Sequence, residues 1–241
     1  MLRPPVEPPD LREKGAAQGG QPQTSDRRLF LQLQVFTDCL DVPAVEAALQ
    51  GSGLETVLYE DVNDPRGIGL LALAQDPAVL VGPLRQLLNQ NPFRSLRHRP
   101  AFTMIGRTYA IGCEPDLNEV LFERPRRTVM NPAWPWAVWY PLRRKGSFAQ
   151  IPEEEQRAIL AEHGRIGHAF GAGDYAHDVR LACYGLDAAD NDFVVGLVGK
   201  DLFPLSACVQ AMRKTRQTAL HLEHLGPFFV GRAAWRSGPR S

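Results

Sequence analysis

The chain has 241 residues and carries 27 Lys+Arg against 27 Asp+Glu, a formal net charge of +0. A balanced charge argues against broad nucleic-acid or anionic-membrane binding, because phosphate contacts need a basic surplus. Hydrophobic residues make up 44% and charged residues 22%, an ordinary globular composition, and no run reaches the roughly 20 apolar residues of a membrane span.

The chain opens MLRPPVEPPDLREKGAAQGGQPQTSD. This stretch is rich in Pro, Gly, Gln and charge and has no apolar signal-peptide core. Its composition predicts a disordered arm over residues 1–27 and a cytoplasmic protein. Cys39, Cys113, Cys183 and Cys208 are widely spaced, with no CxxC pair. They read as reduced and mostly buried thiols rather than a zinc site.

RLFLQLQVF (28–36) alternates and predicts a strand. VPAVEAALQ (42–50) has helical spacing and ends at Gly51. LETVLYEDV (54–62) and IGLLALA (68–74) read as strands, PAVLVGPLRQLLNQ (77–90) as a helix and FTMIGRTYAIG (102–112) as a strand. The order β-α-β-β-α-β suits a ferredoxin-like unit spanning 28–115. A connector over 116–135 carries Arg124, Arg126 and Arg127. The same order then recurs over 136–236. Strands are expected at 136–143, 177–187, 191–201 and 226–235, and helices at 153–170 and 204–223. The expected fold is α+β, two tandem ferredoxin-like units of the dimeric α+β barrel type.

The second helix pattern contains ILAEHGRIGHAF (159–170), in which Ile159, His163, Ile166 and Phe170 share one stripe. An imidazole on an apolar stripe is either a core histidine bonded to a carbonyl or an axial ligand to a flat apolar cofactor. Spacing alone does not separate the two. His163 and His168 are five apart, one residue too far for a zincin pair.

The flanks add an ordered set: WYPLRRKG, then LAEHGRIG, YGLDAADNDFVVGL, MRKTRQT and LGPFFVG. In this order they resemble the chlorite dismutase family in its wide sense, which includes the coproheme decarboxylases. The likeness is good over about 130–235 and extends over 28–115 only as a fold plan. The resemblance implies a haem-dependent oxidoreductase whose cofactor is haem b or coproheme. It implies that His163 is the proximal iron ligand, that Tyr140 is the redox-active tyrosine of the decarboxylases, and that Arg213 and Thr218 hold propionates. Arg126 or Arg127 would supply a further propionate arginine. Phe148 stands in the segment where the family carries a tryptophan. The distal position, an arginine or glutamine in relatives, falls on Asp178 or Ala176, with Arg180 two residues along the same strand face as Asp178.

The reaction implied most concretely is peroxide-dependent decarboxylation of coproheme to haem b. Chlorite decomposition to chloride and dioxygen, with Arg180 as distal cation, is the alternative, and a haem-binding sensor or carrier is a third. The partners implied are a porphyrin and a small oxidant, hydrogen peroxide or chlorite. A homo-oligomer is expected, and the resemblance implies a pentamer.

Overall fold

A computed structural model describes residues 7–238. In chain order the elements are β1 (Glu13–Gln18), β2 (Gln21–Ser25), β3 (Phe30–Thr37), α1 (Val42–Gln50), β4 (Glu55–Asp61) and β5 (Ile68–Ala74). Then come α2 (Ala78–Val81), α3 (Pro83–Leu88), β6 (Arg97–His98), β7 (Met104–Arg107), α4 (Arg124–Met130) and β8 (Trp136–Arg144). The last elements are α5 (Glu153–Ala172), β9 (His177–Ala182), β10 (Phe193–Gly199), α6 (Leu202–Met212), α7 (Arg216–His221), β11 (Leu222–Leu225) and β12 (Phe229–Arg236).

The strands run β10-β9-β7-β3-β5-β4-β12-β8, and β8 pairs back onto β10, so the sheet closes on itself. Every pairing is antiparallel. Within each half the order is that of a ferredoxin-like unit, with its first and third strands central, so the tandem expectation holds. Period-two alternation then sorts the side chains. Leu31, Leu33, Tyr59, Leu71, Trp139, Leu181 and Phe229 point into the closed ring and form one core. Their neighbours point outward. Leu58, Ile68 and Leu70 pack with Val45, Leu49, Leu84 and Phe93 over the N-terminal half. Val138, Tyr140 and Leu197 pack with Leu205 and Cys208 over the C-terminal half.

Four local readings are corrected. The opening stretch is not a disordered arm where it is described. β1 and β2 form a hairpin around Gly19 and Gly20, both with positive φ, which suits a two-residue turn. Glu13 fixes it, reaching Arg107 at 3.0 Å and Arg28 at 3.4 Å, and Ala16 N–H donates to the Glu114 carbonyl at 2.9 Å. Residues 1–6 of that stretch lie outside the described residues. The connector is not plain loop, since α4 forms within it. The helix expected at 77–90 is divided at Gly82 into α2 and α3. The helix expected at 204–223 stops at Met212, turns at Arg213–Thr215, restarts as α7 and gives way to β11.

The core is tightly fitted where β10 crosses β8. Gly196 pairs with Trp139, and a Cβ built on it would lie 2.5 Å from the indole ring. Trp139 has no room to retreat, being fully buried. Gly196→Ala is therefore expected to cost about 1–3 kcal/mol by overpacking, read as a lower urea midpoint at unchanged slope.

Candidate functional site

A cavity of about 510 Å³ opens between α5 and α6–α7 on one side and the outer face of β8, β9 and β10 on the other. That volume lies within the range of small-molecule and cofactor sites. α5 enters over three glutamates at its start, a charge arrangement that favours a helix N-terminus. Ile159 anchors it in the core at 0% exposure, and Phe170 packs against the C-terminal apolar cluster. Beyond Ile159 the helix shows the cavity a face of Gly164, Gly167 and Gly171. A Cβ at Gly164 would meet open space, and at Gly167 only the Met212 methyl at 3.5 Å. The missing side chains leave a shallow cradle beside the helix.

His163 borders this cradle and is half-buried. Its Nδ1 lies 3.1 Å from Thr215 Oγ1. The Thr215 hydroxyl has one proton and directs it to the Met212 carbonyl at 2.8 Å. Toward His163 it therefore accepts, which places the imidazole proton on Nδ1 and leaves the Nε2 lone pair free. Burial lowers the His163 pKa, and the Arg144 and Arg180 charges lower it further. The imidazole is thus held neutral, in the tautomer that leaves Nε2 open to a metal. Cys208 also lines the cavity, but burial pushes its thiol up to about 11, so it stays protonated and is a poor ligand. Among the described residues no group of three or more His, Cys, Asp or Glu is placed to hold a metal ion. An ion held here by one imidazole must bring its other ligands with it.

Tyr140 reaches the cavity from β8. Its ring stacks on Phe228 with centroids 4.7 Å apart, and burial holds its phenol pKa well above the usual range. The Arg213 guanidinium lies 5.8 Å from the centre of the same Phe228 ring. Phe228, from PFFVG, thus supports both groups. Thr218 lines the cavity from α7. Asp178 and Arg180 lie on the outward face of β9 as the alternation required, both on the cavity and joined at 2.9 Å. Ala176 is buried in the wall.

Two expected residues fall elsewhere. Arg126 lies outside the lining, bound to Glu55 at 2.8 Å, where it ties α4 to β4. Phe148 is buried beneath Arg144 and beside His221, also outside the lining. Arg127 does reach the cavity, although its guanidinium is engaged by Glu119 at 2.6 Å. Arg124 was missed as a site residue. It lines the cavity and has no acidic partner among the described residues. Its place depends on α4, which the proline-rich connector concealed. Gln217 was also missed, because the unbroken helix pattern hid the turn before α7. His177 stacks on Trp134 at 3.6 Å and borders the cavity.

A closed α+β barrel of two ferredoxin-like halves, with the neutral His163 imidazole beside a cavity rimmed by arginine, defines a barrel-type protein with an imidazole-bearing site. Residues 117–234 match the family model described as chlorite dismutase, and that region of the chain belongs to the chlorite dismutase family. Among solved structures it is similar to a heme-binding protein from Thermus thermophilus, with 19% identity, TM-score 0.68 and coverage of 86% of this chain and 91% of that one. It is also similar to the chlorite dismutase from Candidatus Nitrospira defluvii in complex with imidazole, with 14% identity, TM-score 0.65 and coverage of 87% and 92%. No curated protein sequence matches it.

The tautomer assignment has a direct test. Long-range ¹H–¹⁵N spectra at neutral pH should show His163 with its proton on Nδ1. Thr215→Val removes the acceptor, and the His163 nitrogen shifts should then move toward a mixture of tautomers.

Proposed function

We propose that the chain binds an iron porphyrin through Nε2 of His163 and removes carboxyl groups from it with peroxide as oxidant, converting coproheme to haem b. The observation that carries the reading is the neutral imidazole, with Nδ1 engaged by Thr215 and, among the described residues, no group of three or more His, Cys, Asp or Glu placed to hold a bare ion. Such a site suits a metal that arrives inside a macrocycle. The glycine cradle on α5 leaves room for a flat ring. The description of one structural relative as heme-binding supports the same reading.

The bound iron porphyrin would supply the oxidising power, and the chain's residues do the rest. Arg213 and Thr218 bind carboxylates at the cavity edge, and Arg124 adds a second arginine without an acidic partner among the described residues. An arginine fork suits a carboxylate because it donates two parallel bonds. Tyr140 keeps its proton at neutral pH, because burial raises its pKa. It can therefore release an electron and a proton together, as a redox relay beside a reacting side chain. Each carboxyl lost as carbon dioxide leaves a vinyl group, a two-electron oxidation that one peroxide balances.

Chlorite decomposition is the second reading, favoured by the presence of Arg180 on the cavity. Its guanidinium is joined to Asp178 at 2.9 Å, which offsets the charge that would hold an anion and supports the first reading over the second.

Titration with coproheme, then hydrogen peroxide, with products separated by mass, is expected to show stepwise loss of two carboxyl groups. Tight binding without any mass change would overturn the decarboxylase reading. His163→Ala should abolish the porphyrin absorbance shift. Tyr140→Phe should bind coproheme as the parent chain does and leave it unconverted, whereas full turnover would remove Tyr140 from the chemistry.

A further inference from the structure

One polar side chain in the cavity wall lacks a partner. Gln217, on α7, lines the cavity and is 5% exposed. Among the described residues its side-chain amide has no hydrogen bond. The Thr215 hydroxyl is committed elsewhere: it serves His163 and the Met212 carbonyl and lies 3.4 Å from Thr218 Oγ1. The amide is not among the sealed, unsatisfied buried atoms, and Gln217 belongs to the cavity lining. An amide held this way costs stability that a leucine of similar size would not. A ligand that bonds to it recovers that cost.

The neighbours indicate which ligand group suits it. Thr218 is the next residue and Arg213 stands at the turn before α7, and both line the cavity. A cation, a hydroxyl and an amide N–H along one edge are donors that suit a carboxylate. An apolar substituent at that edge would leave the buried amide unpaired. We propose that Gln217 donates its amide N–H to a peripheral carboxylate of the bound porphyrin, and so selects a ring bearing a carboxylate rather than a vinyl group there. This rests on the iron-porphyrin reading above and adds a specificity-determining residue to it.

The test is a set of absorbance titrations of the full chain with iron coproporphyrin III, which has four carboxylates, and iron protoporphyrin IX, which has two. The wild type, Q217L and Q217E are compared. Q217L is expected to lose roughly tenfold in affinity for the four-carboxylate ring, with affinity for the two-carboxylate ring unchanged or raised. Q217E should weaken the four-carboxylate ring further through like-charge repulsion. Where Q217L does not fold, Q217M, of similar length, takes its place. An unchanged affinity ratio, or an equal loss for both rings, overturns the role of Gln217. Binding of neither ring by the wild type overturns the iron-porphyrin reading itself, and the inference falls with it.

Discussion

The structure depends on the closure of two four-stranded sheets into one ring. Closure gathers the inward side chains, Trp139, Tyr59 and Phe229 among them, into one core, against which Leu121, Phe122 and Val129 of the connector pack. It leaves two outward faces that helices must cover. Over the N-terminal half, α1, α3 and Phe93 pack Val45, Leu49 and Leu84 onto Leu58, Ile68 and Leu70. Over the C-terminal half the cover is incomplete. α5 turns glycines toward the sheet at Gly164, Gly167 and Gly171, and the α6 pattern breaks before it can become one long helix. The cavity is what that incomplete cover leaves. It is set by absent side chains and a helix break, on a sheet that needs neither for its own stability.

That arrangement explains which parts were legible in the sequence. Alternation along RLFLQLQVF and IGLLALA and the glutamate-led helix of EEEQRAILAEHG are local patterns that report burial directly, and β3, β5 and α5 formed close to where they read. The His163 stripe was visible for the same reason, since Ile159 and Phe170 are its packing anchors. Tyr140 and the Asp178–Arg180 face reached the cavity because each sits on a strand whose period was correctly read, whereas Arg213 and Thr218 reached it from the turn and the short helix that replace the expected long one. The misses share a different cause. Arg126 was drawn away by Glu55, 71 residues distant in the chain, and no local pattern carries such a pairing. The opening hairpin is held by Glu13 and by main-chain bonds to the Glu114 loop, so its polar composition gave no sign of order. The QGGQ turn was the one local signal of it. Thr215 ends one helix pattern and caps the next, accepting from Thr218 N–H, and that short break moved Gln217 onto the cavity.

The polar groups in the cavity divide by charge. Three of them are held neutral by burial: the His163 imidazole, the Tyr140 phenol and the Cys208 thiol all shift toward their uncharged forms. The arginines Arg124, Arg127 and Arg213 come from α4 and from the turn after α6. This separation follows from the cost of burying an unpaired charge, which is large in a low-dielectric interior and small where solvent reaches the group. It also matches the anatomy of a porphyrin, whose ring is apolar and whose carboxylates sit at its periphery.

The same reasoning separates the two reactions. An anionic oxidant must be held at the reacting face by net positive charge. In the proposed site the cation on that face would be Arg180, which is half-exposed and lies 2.9 Å from Asp178, so the pair presents a dipole rather than a net charge. At an effective dielectric near 20, opposite unit charges at about 4 Å attract by roughly 4 kcal/mol, and a third charge nearby meets both ends of that pair. An anion approaching Arg180 is therefore also repelled by Asp178. Hydrogen peroxide, being neutral, meets no such repulsion, and a carboxylate beside an arginine is a reasonable place for a peroxide proton to move. Carboxylates on the substrate meet a different field at Arg124 and Arg213, where no acidic partner among the described residues competes. The charge distribution of this cavity favours a ligand anchored by its own carboxylates and an oxidant that carries none.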